Sequence, residues 1–535
     1  MSTPKVLFGD QATARLKRGF DTLTNLLAAT LGPTQGAILS QRDVRAEPEI
    51  LSDAATIARR VLALPARAEN VGAMLARNLV WRMHVRVGDG CATAAVLAQA
   101  ILDESHRFVA AGGNAMMVKR GIDRAAGAAI DALRAMARPV QGNDDLAKVA
   151  ETLTGDPKLS ARLGEIFDKL GPEAHVTIED YLAPYLECQY YEGGRWNGRL
   201  ASPYLISDSV TRRAIITDCH VALFAGAVTS VEDVQALLKV VAGTQWRQVA
   251  LIAKEISGAA LATCVLNHRQ GNLKILTAEL REGESKRQKD FDDLAVLTGA
   301  RVLSPEMGHA FHRVEPSDLG AAPRVEADAD ELIVVGGEGD RAAIDQRIAT
   351  LRARIKTLPE GDEELNDLRF RLARLAGQIA KLMIGAHTEA ERAVIRQKAE
   401  KAIRALPLAQ REGVVPGGGV AYLDCIPAVL PLEASGDEAH GKQIIARALE
   451  APFQRLLMNA GVAAPAAIRA EAQQRGAGFG YDVMAERIVS MEEARILDAA
   501  GVLRHALETA VSGAMMALTT EVLVLKRSPE TSMEP

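Results

Sequence analysis

Apolar positions in the first stretch of the chain recur at helical spacing. Leu16, Phe20, Leu23, Leu27 and Leu31 fall three or four residues apart after Asp10, a residue type suited to capping a helix start, and they predict one core-facing amphipathic helix. Alanine-rich segments of the same period follow at about 68–85, 91–110 and 115–137, and toward the other end at about 418–430, 440–460 and 499–518. Between about 176 and 337 the pattern changes. Short apolar runs (Val176 to Ile178, Ala214 to Phe224, Gln248 to Ile252, Leu273 to Leu276, Arg301 to Leu303, Leu332 to Val335) alternate there with helical segments, as in an α/β domain. After Gly336-Gly337, Ile344, Ile348, Leu351, Ile355 and Leu358 step by four and three, and Leu365, Leu368, Leu372, Leu375, Ile379 and Leu382 do likewise beyond Pro359-Glu360-Gly361. Two antiparallel helices joined by that turn are expected, with a free-standing coiled-coil dimer as the alternative. Helical flanks therefore surround an inserted α/β domain, with Glu192-Gly193-Gly194 and Gly377 as the expected flexible joints.

The 535 residues correspond to roughly three to four folding units, enough for a large core without disulfides. A net charge of −5, from 63 Lys and Arg against 68 Asp and Glu, argues against nucleic-acid wrapping or attachment to an anionic membrane. Cys91, Cys188, Cys219, Cys264 and Cys425 show neither disulfide nor zinc spacing, which points to a reducing, cytoplasmic setting. No run of about 18 apolar residues occurs, and the start of the chain passes into a strand-like segment without an apolar signal core, so neither secretion nor membrane spanning is expected. The strand candidates Val6-Leu7-Phe8 and Val522 to Leu525 need partner edges, which favours assembly over a monomer.

Three glycine-containing loops sit at helix boundaries, where free amides and the helix dipole favour anions. Thr30-Leu31-Gly32-Pro33 closes a helix and, read alone, is a cap followed by a proline stop. Gly88-Asp89-Gly90-Cys91-Ala92-Thr93 opens one; Asp89 suits either a simple cap or a Mg²⁺ ion, and Thr93 a phosphate oxygen. Gly413 to Gly419 ends in three consecutive glycines, a costly run unless a backbone must approach something closely. No common nucleotide or hydrolase motif is present. His309 and His312, three apart on an expected helix, form a weak metal pair with no nearby cysteine.

In order along the chain, KVLFGDQATARLKRG, ATLGPTQG, LSDAATIAR, ENVGAMLARN, GDGCATAAVLAQAI, AGGNAMMVKRGID, LASPYL, LAVLTGARVL, GAHTEAE, REGVVPGGGVAYL and ILDAAGVLRHALE resemble the group I chaperonins, the GroEL family of bacteria and organelles. The resemblance runs from about Lys5 to about Leu525. It implies a multidomain α and α/β chaperonin architecture: an equatorial helical domain (1–137 and 413–535), an intermediate domain (138–192 and 378–412) and an apical α/β domain (193–377). It further implies a homo-oligomeric sevenfold ring that binds ATP and Mg²⁺, non-native client protein and a lid co-chaperonin. By position, the nucleotide pocket would comprise Thr30, Leu31, Gly32, Pro33, Ser52, Asp89, Gly90, Cys91, Ala92, Thr93, Gly418, Asp482, Val483, Met484 and Asp498, with Asp89 as the magnesium ligand. The client and lid surface would comprise Leu200, Tyr204, Leu205, Gln235, Leu238, Leu261, Val265 and Leu266.

Departures from the family bear on function. Cys91 and Ala92 stand where the family carries two threonines, removing hydroxyls worth about 0.5–1.5 kcal/mol each to phosphate oxygens. Ser52 replaces a lysine before Asp53, one of two carboxylates the family places near the γ-phosphate. The other, the aspartate that orders the attacking water, is Lys401 here; Glu400 lies about 100° round the helix and is a poor substitute. Without the family, Gln397, Lys398, Lys401 and Arg404 read as a solvated face opposite Ile395, Ala399, Ala402 and Leu406. An ammonium cannot act as general base, yet it attracts phosphate and competes with Mg²⁺ for Asp53 and Asp89. Gln235, Leu200 and the Glu279 to Lys289 segment also differ, implying a changed client range, and Ser528 to Pro535 is a polar tail expected to be disordered. Two readings stand: a chaperonin that cycles with ATP, serving few clients, or a holdase or assembly scaffold with little or no hydrolysis.

Overall fold

A computed structural model describes residues 5–525, apart from 35, 37, 42–48, 52, 62, 173, 182, 192, 209–211, 245–246, 272, 359–362 and 376–378. Ser52, the turn Pro359-Glu360-Gly361, the joint residues Glu192 and Gly377, and the tail from Ser528 lie outside the described residues. The chain divides into two compact units, Met1–Pro172 with His387–Pro535, and Glu173–Ala386.

The first unit opens with β1 (Lys5–Phe8), α1 (Gly9–Ala28), β2 (Ile38–Ser40) and β3 (Glu49–Leu51). Six helices follow: α2 (Ala54–Arg60), α3 (Arg67–Arg86), α4 (Cys91–Ala110), α5 (Ala115–Met136), α6 (Gly142–Thr154) and α7 (Pro157–Leu170). Leu16, Phe20, Leu23 and Leu27 form the buried stripe of α1, but the helix ends at Ala28 and leaves Leu31 beyond it. Asp10 does not cap α1; it sits within the first turn, where its charge suits the positive end of the helix dipole. α1 and α3 cross at backbone contact. A Cβ on Gly19 would lie 1.6 Å from the Glu69 carbonyl oxygen, and one on Gly72 1.8 Å from that of Leu16, so no side chain fits at either position.

The second unit contains β4 (His175–Tyr181), β5 (Leu186–Tyr191), β6 (Gly193–Leu200), β7 (Ala214–Val228), α8 (Val231–Ala242), β8 (Gln248–Ile256), α9 (Gly258–Arg269) and β9 (Lys274–Leu280). It continues with α10 (Glu284–Thr298), β10 (Val302–Leu303), β11 (Gly320–Ala327), β12 (Glu331–Val335), α11 (Arg341–Thr357), α12 (Glu363–Leu375) and β13 (Ile379–Gly385). Its main sheet runs β10-β7-β11-β12-β6-β9-β8 and closes through a further β7–β8 pairing. β13 lies between β4, to which it is parallel, and β5, to which it is antiparallel.

Gly193 and Gly194 open β6, paired with Val335 and Val334. One expectation and one alternative fail here. Ile379 and Leu382 belong to strand β13 and not to the second helix, which ends at Leu375. A three-residue apolar step fits a helix and a doubly buried strand alike, and Ala380, Leu382 and Ile384 are all fully buried. The α11–α12 pair is not free-standing either, since Ile344, Ile348, Leu351, Leu368 and Leu375 join the core beneath the main sheet.

The chain returns to the first unit with α13 (Glu389–Glu412), β14 (Val414–Pro416), α14 (Val420–Val429), α15 (Asp437–Ala448), α16 (Ala451–Asn459) and α17 (Pro465–Arg475). β15 (Phe479–Asp482), β16 (Arg487–Ser490), β17 (Leu497–Ala499), α18 (Ala500–Leu518) and β18 (Val522–Leu525) complete it. The helix expected over 440–460 is broken at Leu449-Glu450, ahead of Pro452, whose ring suits a first turn but not a helix interior. α18 is buried along most of its length and packs on α3, α4 and α5, so the two flanks share one core. β1 and β18 pair antiparallel, Lys5 with Leu525 and Phe8 with Val522, bringing both ends together.

Candidate functional site

α4 begins with a turn built for close approach. Gly88 and Gly90 both adopt left-handed backbone, at φ of +81° and +75°, and the N-cap position falls on Gly90 with no side-chain cap. Asp89 between them is therefore not the helix cap. Its Oδ1 accepts a bond from Lys401 Nζ at 3.0 Å, reaching across from α13, with the Lys401 side chain 38% exposed and that of Asp89 15%. Burial alone would lower the Lys401 pKa, but the charge and hydrogen bond of Asp89, and then the charge of Asp53, outweigh it. Lys401 thus titrates above the ordinary lysine range and is a cation at neutral pH, not an idle member of a solvated face.

Asp53 is occupied differently. It caps α2, its Oδ2 accepting from the Thr56 amide at 2.8 Å and the Thr56 hydroxyl at 2.9 Å. Asp498, on β17, pairs in register with Val415 and accepts a bond from the Gly418 amide. Burial, reinforced by the like charge of Asp89, pushes the Asp498 carboxyl up to about 7 against the pull of Lys401. Gly418 and Gly419 are left-handed, at φ of +64° and +81°, and a Cβ on Gly419 would approach the Phe453 amide nitrogen to 2.9 Å. The structure thus brings Asp53, Asp89, Cys91, Lys401, Asp498 and Gly418 into one electrostatically linked cluster.

Cys91 is no nucleophile: its Sγ lies 3.6 Å from the Val80 carbonyl, and burial raises its thiol far above the ordinary range. Ala92 and Thr93 are half-buried in the first turn of α4. Sequence reading missed the role of Arg404, one turn after Lys401. Its side chain lies against Gly88, where a Cβ would come within 2.4 Å, and its Nη1 is 3.3 Å from His84 Nε2. Burial and the Arg404 charge hold His84 below its usual range. The i, i+3 spacing of Lys401 and Arg404 was the available signal.

The remaining expected residues lie in two other loops. Thr30 is buried and its hydroxyl donates to the Leu27 carbonyl at 2.7 Å. Asn459, not foreseen, donates to the carbonyls of Ala28 and Leu31 at 2.8 Å each, and Leu456 packs over Gly32, which Pro33 follows. Asp482 ends β15 and closes the following turn by accepting from the Met484 and Ala485 amides, with Val483 half-buried and Met484 exposed. A cavity of about 460 Å³ lies elsewhere, between α3 and α18, and Asp53, Asp89, Asp498 and Lys401 are not among its lining residues.

In the second unit, Gln235 and Leu238 lie on α8, Leu261, Val265 and Leu266 on the adjoining α9, and Leu200 at the end of β6. Tyr204 and Leu266 are exposed, and Arg269 lies over the Tyr204 ring at 4.7 Å. Leu238, Leu261, Val265 and Leu200 are partly buried, while Leu205 is 1% exposed and belongs to the core. His309 and His312 share no helix. His309 lies between two 3₁₀ turns beside Arg301, and His312 is 3.9 Å from Asp233.

The first amides of α4, with Lys401 and Arg404 nearby, offer donors to a phosphate chain at the mouth of a glycine turn, while Asp53, Asp89 and Asp498 supply opposing negative charge. Magnesium at Asp89 does not fit the residues as they stand, because an ammonium already holds that carboxylate. Among the described residues, no three His, Cys, Asp or Glu side chains cluster to hold a metal.

A helical unit assembled from both chain ends around an inserted α/β unit, with glycine loops meeting at a buried acid cluster, defines the chaperonin class of fold. The sequence profile of the TCP-1/cpn60 chaperonin family matches residues 23–180 and 228–528, and the chain belongs to that family. Among solved structures it is similar to the chaperonin gp146 from bacteriophage EL 2 (Pseudomonas aeruginosa), determined in the presence of ATP-BeFx. Crystal form II matches with a TM-score of 0.72 and 18% identity over 98% of this chain and 99% of that one. Crystal form I matches with a TM-score of 0.66 and 17% identity over the same shares. Among the described residues no helix is long and apolar enough to cross a membrane.

Proposed function

We propose that this protein is a ring-forming chaperonin that binds ATP and non-native polypeptide and assists folding or assembly of a narrow client set. The carrying observation is the convergence of the Gly88 to Cys91 turn, Lys401, Asp498 and the Gly418 loop at one helix N-terminus. ATP would be held there by the amides of α4, Thr93, Lys401 and Arg404, and it would supply binding free energy that differs between conformations. In this reading 1–137 and 413–535 form the equatorial domain, 138–192 and 378–412 the intermediate domain and 193–377 the apical domain. A sevenfold ring, a lid co-chaperonin and a cytoplasmic location belong to the same proposal. Client capture falls to the partly exposed apolar side chains of α8 and α9, Leu238, Leu261, Val265 and Leu266.

One observation favours a second reading, a holdase with little or no hydrolysis: Lys401 bonds Asp89 as an ammonium, and an ammonium cannot order and deprotonate water as a carboxylate does. Light scattering, nucleotide-binding calorimetry and suppression of aggregation of a denatured client test the proposal together. A stable 57.1 kDa monomer that neither binds ATP nor protects the client would overturn it.

A further inference from the structure

We infer that Lys401 takes the place of a divalent cation, so that this site binds a nucleoside triphosphate in its metal-free form. The inference rests on the nucleotide reading above and specifies the ionic form of the ligand.

Of the three acids within its electrostatic reach, Asp89, Asp53 and Asp498, Lys401 bonds Asp89, at 3.0 Å. Asp53 is engaged by the Thr56 amide and hydroxyl and Asp498 by the Gly418 amide, so the pairing is selective. A divalent ion at Asp89 would have to share one carboxylate with an ammonium, and two adjacent cations repel. Mg²⁺ also demands near-octahedral oxygen ligands and gives up its water reluctantly, which leaves little to offset that repulsion. The polyphosphate still needs positive charge, and α13 supplies it twice. Arg404, one turn beyond Lys401, lays its side chain along Gly88, so two fixed cations flank the same turn at the N-terminus of the 20-residue helix α4. Lysine acts as a point charge toward phosphate, and arginine adds a planar fork of donors.

The test is calorimetric titration of the full-length protein with ATP, once with excess Mg²⁺ and once with excess EDTA. Wild type is expected to bind with affinities within about threefold of each other in the two buffers. Lys401→Asp, checked for unchanged circular dichroism and particle size, is expected to lose about tenfold or more in EDTA and to recover in Mg²⁺. Lys401→Gln is expected to bind weakly in EDTA even if the aspartate variant does not fold. Wild-type binding that requires Mg²⁺ would overturn the inference and leave the nucleotide reading standing. Absence of binding in both buffers would overturn both. Metal-independent binding by Lys401→Asp equal to wild type would show that Lys401 is not the counter-charge.

Discussion

Asp89 and Asp293, one in each unit, are both held by cations from distant helices, Asp89 by one and Asp293 by two, yet they are built for different ends. Asp293 lies inside α10, is 0% exposed, and accepts two bonds from Arg371 at 2.7 and 2.8 Å and one from Arg347 at 3.0 Å. It ties α10 to α11 and α12, beside a second pair formed by Arg374 and Asp290. Asp89 stands in a turn between two left-handed glycines, accepts from a half-exposed lysine and belongs to no regular element. An acid enclosed in a helix by several donors is framework. An acid displayed on a glycine turn, with a solvent-reachable cation over it, is available for chemistry.

Substitution separates the two cases. Asp293→Ala strands Arg371 in a dry interior and is expected to destabilise the second unit by about 3–5 kcal/mol, read by urea unfolding. Asp89→Asn leaves Lys401 the nearby charges of Asp53 and Asp498 and is expected to cost less, about 1–2 kcal/mol. Equal losses would erase the distinction between framework and site.

Within the second unit the contrast is between the enclosed acid and the apolar face of α8 and α9. Leu261→Glu and Val265→Glu each place a charge among partly buried apolar side chains, and each is expected to abolish capture of a denatured client while the fold persists. Folded variants that still suppress aggregation as wild type does would show that α9 is not the capture surface.

The smallest expected effect concerns Asp498. Its carboxyl, near 7 in the folded chain and near the ordinary aspartate range when unfolded, binds a proton on folding, so stability falls as pH rises between about 4 and 7. Asp498→Asn removes that penalty. It is expected to raise the melting temperature by about 2–4 °C at pH 8 and to leave it nearly unchanged at pH 4. A gain of equal size at both pH values would mean that the carboxyl does not titrate in this window.

The parts of the fold readable from sequence are those set by local period. α1, α4 and α18 announce themselves through apolar spacing, and buried runs such as Leu332 to Val335 do so only for strands flanked by turns, as at β7, β8 and β12. β6, β5 and β11 went unseen because glycine, charged and apolar residues mix along them, their burial being decided by distant partners. The three glycine loops of the candidate site were readable because left-handed backbone favours glycine. The contact of Arg404 with His84 was not, since 320 positions separate the two residues, and neither was the burial of Leu205 under a sheet whose strands come from far along the chain.

Steady-state phosphate release by wild type and Lys401→Asp tests the central claim most directly, that an ammonium here replaces the group needed to order and deprotonate water. With Lys401 bonded to Asp89, wild type is expected to release phosphate about 10²–10⁴-fold more slowly than the aspartate variant in Mg²⁺. Release by wild type as fast as, or faster than, that of Lys401→Asp would contradict it and show that another group positions the water.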